Sequence, residues 1–438
     1  MNTRITPASR HMLKPEQPSV DAATFEEWDR APYPLHVRGR IQHYAWGSTD
    51  AIPELLGQAN PNDEPFAELW LGANSELPAL VTIGSGEIAL NRLTGAAGPV
   101  LLGQTAFEQF DGVFPFLMKI LSAAKPLSIQ AHPNTEQAES GFARENHAGL
   151  DLDDPQRNYR DDKHKPELIS ALDDFYALRG FRSLDEVGRT LHAMPELSDL
   201  VPNGTLTHDG MVELYVDLMQ LPQHEVNRRL IPLMHRLRTA NRDPEFGKAD
   251  PEYWAIRADD EFSRDNRKDR GLFSVFLLNI VHLRPGQGMY LPAGEPHSYL
   301  EGTGVEIMAN SNNVLRGGLT PKRVDVDELL SVLTFECGKP TVLEFERDRG
   351  SDTHARYMTP ASEFELSRVQ LQSGDRHIAG GTHGVELGIV LDGKLKIDSR
   401  NGSNLDLNRG QSFLVPSGIP YVMSAEERST VFIGSVPG

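Results

Sequence analysis

The sequence predicts a mainly β protein, two jelly-roll barrels with an α-helical domain inserted into the first. Three observations carry this. From about Pro34 the chain runs as short apolar stretches broken by Gly, Pro, Asn and Asp, as in "LWLGANSELPALVTIGSG", the pattern of strands joined by turns. Between about Leu184 and Arg267 the period changes, and Val226, Leu230, Leu233 and Leu237 recur at the spacing of one helix face. Finally, "GQGMYLPAGEPH" (286–297) and "GQSFLVPSGIPY" (410–421) align Gly, Gln, Pro, Gly and Pro at equal spacing, an internal repeat of a strand-turn-strand unit.

In order along the chain, residues 1–33 are polar and proline-punctuated, with no apolar stretch of signal-peptide length, and read as an N-terminal extension. Residues 34–183 and 268–340 form the first barrel, 184–267 the helical insertion, and 341–438 the second barrel. Met211, Leu214, Leu218 and Leu221 make a second helical stripe upstream of the first, and both stripes read as core. Strand character is expected to resume at "LFSVFLLNIVHL".

A chain of 438 residues is long enough for two or three domains with proper cores. Its 43 basic and 62 acidic residues give a formal charge of −19, which argues against nucleic acid or anionic membrane as partner. An anionic substrate must then meet a local cationic pocket. The single cysteine, Cys337, excludes an intrachain disulfide and a thiolate zinc cluster. With no apolar stretch of membrane-spanning length, a cytoplasmic soluble protein is expected.

The hairpin repeat has the form of the second signature of cupin-type barrels, where Gly and Pro fix a tight turn that aims a His inward. That residue is His297 in the first copy and Tyr421 in the second, which fits one barrel holding a site and the other serving as scaffold. In "PLSIQAHPN" (126–134) an extended chain sends Ser128, Gln130 and His132 to one face and Ile129 and Ala131 to the other. "DKHKPEL" adds Glu167. Gln130, His132, Glu167 and His297 together are a nitrogen and oxygen set suited to one zinc or another divalent first-row ion. Taken singly, each is equally a packed or solvated residue, and His164 competes for a ligand role.

The blocks "YAWGS" (44–48), "AELWLGAN" (67–74), "FPFLMKILSAAKPLSIQAHPN" (114–134), "NYRDDKHKPEL" (158–168) and "LPAGEPHSYLEGTGVEIMANSNNVLRGGLTPK" (291–322) resemble the type I mannose-6-phosphate isomerases over roughly residues 34–438. The resemblance implies one zinc ion on Gln130, His132, Glu167 and His297, and a catalytic arginine at Arg316. It implies interconversion of mannose 6-phosphate and fructose 6-phosphate, a proton moving between C2 and C1 through a cis-enediol. One position departs from the family: Asn312 stands where an acid is usual.

For that reaction Arg316 offers a fork of donors to a developing oxyanion, and Lys165, Glu306 and Tyr299 are candidates for the base. Lys119, Ser128 and Lys322 are candidates for the substrate phosphate. The expected partner is a phosphorylated hexose, with a monomer favoured. Two other classes stay open: a different metal reaction such as an oxygenase, against which a Gln ligand speaks, and a non-catalytic or differently specific sugar-phosphate cupin.

Overall fold

Alternation along the strands decides which core each side chain enters. The computed structural model describes residues 19–201, 205–240, 246–264, 267–348, 350–381, 384–400 and 402–437. Strand Phe116–Ala123 is buried at every position because its two faces serve two cores. Leu121 and Ala123 join Ile169, Ala171, Phe175, Met289, Leu291 and Tyr299 on one side. Phe116, Met118 and Ile120 pack on the other side with Leu366, Leu387, Leu414 and Phe432 from the second half of the chain.

The pairings between named strands are all antiparallel. The 13-residue strand His297–Ala309 organises the first half. Its start lies between Gln130–Ala131 and Phe175–Phe181, and its end lies between Phe116–Ala123 and Glu167–Ala171. In the second half, Glu386–Asp392 pairs with Ser412–Val415 and Ser429–Ser435, and Glu365–Leu371 pairs with Ser429–Ser435. A separate four-stranded sheet holds Arg376–Ala379, Lys394–Ser399, Asn404–Asn408 and Tyr421–Ala425. Strand Leu35–Arg38 joins Ser412–Val415 to Leu80–Ile83, which pairs in turn with Gly86–Ala89, so three early strands sit in the sheet of the second half rather than with the first.

The helical stretch comprises Leu184–His192, His208–Gln220, Gln223–Ala240, Pro251–Phe262 and Gly271–Leu277. Both stripes are core as their period requires, with Val226, Leu230, Leu233 and Leu237 buried on one helix and Met211, Leu214 and Leu218 on another. Leu221 lies just past its helix, where Pro222 ends the run. The segment Gly271–Leu277 is a helix, not the strand expected, and strand begins at Leu278. Every residue of it is buried, and a continuous apolar run has no period by which to tell the two states apart.

The N-terminal extension contributes to the core. Residues 1–18 lie outside the described residues, but Ala22–Arg30 is a helix capped by Asp21, and its Trp28 is fully buried in the core shared by both halves. Among the described residues no helix is long and apolar enough to cross a membrane.

Candidate metal centre

Three strands meet at one end of the first core. Glu167 opens strand Glu167–Ala171, His297 opens His297–Ala309, and His132 follows Gln130–Ala131. The ligand atoms of His132, Glu167 and His297 lie within 4.8 Å of one another, and all three residues are buried. His132 Nε2 is 3.2 Å from Glu167 Oε1, and His297 Nε2 is 3.4 Å from Glu167 Oε2. Gln130 is the cross-strand partner of His297 on one side and of Arg316 on the other, a register that sets all three on one face.

The hydrogen bonds around the imidazoles decide what this cluster can hold. Nδ1 of His132 is 2.8 Å from the carbonyl of Asn313, and Nδ1 of His297 is 2.9 Å from the carbonyl of Glu295. A carbonyl only accepts, so both Nδ1 atoms carry the proton, and in the neutral imidazole that tautomer leaves a lone pair on Nε2. Both Nε2 atoms face carboxylate oxygens, and the buried His132 Nε2 has no hydrogen-bond partner. With both imidazoles neutral the cluster is a set of converging acceptors that fits a cation, and two imidazoles with a carboxylate are donors of the type zinc takes.

The electrostatics agree. Burial, and then the charge of Lys165, lowers His132 to about 4, so it stays neutral and able to ligate. Glu167 is held well below its ordinary range: burial opposes ionisation, but the charge of Lys165 leads the interactions that outweigh it. Lys165 Nζ is 2.9 Å from Glu167 Oε1.

A buried polar network adjoins the ligands. Lys119 Nζ lies 2.8 Å from Glu306 Oε2 and 3.5 Å from Glu68 Oε1. Tyr299 donates its hydroxyl to Glu306 Oε1 at 2.9 Å, and Trp70 Nε1 donates to Glu68 Oε2 at 2.7 Å. Burial raises Glu306 although Lys119 opposes it, and burial together with Glu306 raises Tyr299 well above the phenol range.

The expected phosphate residues separate. Lys119 is committed to two carboxylates, and Ser128 Oγ accepts from Gln130 Nε2 at 3.2 Å. Lys322 instead stands near Arg316 and Arg160: burial and these two arginines lower it, and burial and Arg160 lower Arg316. Arg160 escaped the sequence reading, although it lies in the same "NYRDDKHKPEL" block as Glu167. His164 turns away from the ligands to Glu363, 2.6 Å distant.

Asn312 is held by one side-chain amide and one carboxylate. Its Oδ1 accepts from Asn74 Nδ2 at 2.9 Å, and its N–H donates to Asp161 Oδ2 at 2.8 Å. The neighbouring Asn313 is fully buried; it accepts from the N–H of Arg160 at 2.7 Å and donates to the carbonyls of Asp161 and Lys163 at 2.8 and 2.9 Å. One amide thereby ties the loop bearing Arg160 to the carbonyl that orients His132. A cavity of about 570 Å³ lined by Arg368, Arg409, Glu54 and Asp173, among others, contains none of these site residues.

Comparison with known proteins follows the same residues. The family model "Phosphomannose isomerase type I, catalytic domain" matches residues 35–184. Mannose-6-phosphate isomerase of Salmonella typhimurium is 36% identical over 382 residues, covering 86% of this chain and 93% of that protein. The Escherichia coli protein of the same name is 35% identical over 392 residues, covering 89% and 96%. A crystal structure of a point mutant of the Salmonella typhimurium phosphomannose isomerase superposes with a TM-score of 0.81 at 32% identity, covering 92% of this chain and 100% of that one. A zinc-bound mannose 6-phosphate isomerase gives 0.79 at 32% identity, covering 91% and 98%. The chain belongs to the type I phosphomannose isomerase family.

Proposed function

We propose that this protein is a zinc-dependent aldose-ketose isomerase that interconverts mannose 6-phosphate and fructose 6-phosphate, with the ion on Gln130, His132, Glu167 and His297. The observation that carries this is the convergence of two imidazole Nε2 atoms, each with its Nδ1 bound to a carbonyl, on one buried carboxylate. When bound, zinc supplies a Lewis acid that polarises the sugar carbonyl and stabilises developing negative charge.

The chain's own groups account for the rest. Arg160, Arg316 and Lys322 form the local cationic cluster that a chain of net charge −19 needs to hold a phosphorylated hexose. Arg316, beside Gln130 in the ladder, donates to the substrate oxyanion. Among the three candidate bases we choose Glu306, whose proton affinity is raised by burial. It takes the proton from C2 of the open-chain aldose and returns it to C1, the O2 hydroxyl proton passing to O1 in the same isomerisation, while Tyr299 and Lys119 hold the two carboxylate oxygens of Glu306 in place. Lys165 steadies Glu167.

The two halves are best read as related cupin-type jelly rolls, the second without a metal site. Strand Glu167–Ala171 pairs with Gly288–Leu291 and His297–Ala309, as Glu386–Asp392 pairs with Ser412–Val415 and Ser429–Ser435. Strands Phe175–Phe181 and Leu278–Leu283 pair with each other although the helices intervene, whereas Lys394–Ser399 and Asn404–Asn408 are joined by residues 400–403 alone. That difference supports reading the helices as an insertion.

Purified protein is expected to convert mannose 6-phosphate to fructose 6-phosphate, to lose that activity with a chelator, and to regain it with zinc. Glu167→Gln and His297→Ala should each lower bound zinc well below one ion per chain. Zinc-replete protein without turnover would overturn the isomerase reading in favour of a sugar-phosphate binding protein.

A further inference from the structure

We infer that the partly buried ion pair Arg179–Glu295 is a positioning device that aims His297 at the metal, an inference that rests on the zinc reading above. The Glu295 carbonyl receives the Nδ1 proton of His297, so the placement of Glu295 sets the direction of the Nε2 lone pair. Its side chain is gripped at both oxygens: Arg179 Nε lies 3.1 Å from Oε1 and Nη2 lies 3.2 Å from Oε2. Arg179 in turn is the cross-strand partner of His297, is 9% exposed, and donates Nη1 to the carbonyl of Thr341 at 3.0 Å. The strand beneath makes room for the carboxylate. Gly180 adopts φ 56°, its N–H donates to Pro296 at 2.8 Å, and a Cβ there would stand 2.7 Å from Glu295 Oε1.

The second half of the chain supplies an internal control. Tyr421 takes the place of His297 in the hairpin repeat, and its cross-strand partner is Ser399 where His297 has Arg179. Ile419 stands where the first copy has Glu295. The same hairpin on the same kind of ladder thus forms without the ion pair. A clamp required by the hairpin itself would be present in both copies; this one accompanies the imidazole. Holding a partly buried carboxylate at both oxygens fixes its place on the chain, and a role in aiming a ligand explains why the first copy carries the pair.

The test is zinc affinity of Arg179→Gln and Glu295→Gln, read by competition with a chromophoric chelator, alongside thermal unfolding of the zinc-free proteins. The expected result is zinc binding weakened about 10- to 100-fold in each variant. Unfolding temperatures should stay close to the zinc-free parent, and kcat should be largely recovered at saturating zinc with KM unchanged. The double variant should be no weaker than the worse single one, because the two residues act as one unit. Zinc affinity within twofold of the parent in both single variants would overturn the inference. So would zinc-free variants that unfold, since the pair would then belong to the fold. A parent protein that binds no zinc would instead remove the zinc reading on which the inference stands.

Discussion

Tyr421 donates its hydroxyl to Glu386 at 2.7 Å, on the two strand positions that correspond to His297 and Glu167. The register makes the correspondence explicit: Glu167 opposes Leu291 and Glu386 opposes Val415, residues that align in the hairpin repeat. Ala379 opposes Tyr421 as Gln130 opposes His297, and Gly381 lies two residues on, as His132 does. Three of the four proposed ligand positions have thus lost their donor or changed it, while the carboxylate remains and is capped by a phenol.

That carboxyl should report on pH. Burial pushes Glu386 up to about 7, with Glu365 adding to the shift and the Tyr421 hydrogen bond opposing it. A carboxyl whose folded pKa is raised from the 4.5 of an ordinary glutamate binds a proton more tightly when folded. Stability is therefore lost as pH rises from about 4.5 to about 7 and stays reduced above that. Glu386→Gln keeps the acceptor for Tyr421 and removes the ionisation. Relative to the parent it should be nearly neutral at pH 4 and more stable by about 3 kcal/mol at pH 8. Denaturant unfolding at the two pH values checks this, and a gain equal at both would count against it.

The Lys119 network should be costly to break from one side. Lys119→Met leaves the buried Glu306 and Glu68 without their cation, with an expected loss of about 3–5 kcal/mol. The double variant Lys119→Met/Glu306→Gln should recover part of that loss, because Glu68 keeps its bond from Trp70. A double variant less stable than the single would refute this account of the pairing.

The cationic cluster should divide binding from turnover. Arg160→Gln and Lys322→Gln are expected to raise KM for mannose 6-phosphate about 10-fold or more, and to weaken inhibition by inorganic phosphate in parallel, with zinc content unchanged. Arg316→Ala should leave zinc content intact while kcat collapses. Steady-state kinetics with metal analysis of each variant decides the assignment, and an unchanged KM in both the Arg160 and Lys322 variants would remove them from the phosphate site.

The sequence by itself determined the strand-rich stretches, the helical stripes, the hairpin repeat and the candidate residues of the site. These are signals of period and spacing: Val226, Leu230, Leu233 and Leu237 fall on one helix face whatever they pack against, and Gly and Pro fix the same turn in both hairpins. Only tertiary structure decided that Gly271–Leu277 is a helix, that Trp28 closes a core shared by both halves, and that Leu35–Arg38 joins the far sheet. The same holds for the site's surroundings. Arg160, Asn313 and the Arg179–Glu295 clamp act through partners 116 to 181 residues away or through neighbouring charge. Chain proximity carries no information about such pairs, because strand register, set by burial along the whole ladder, brings them together.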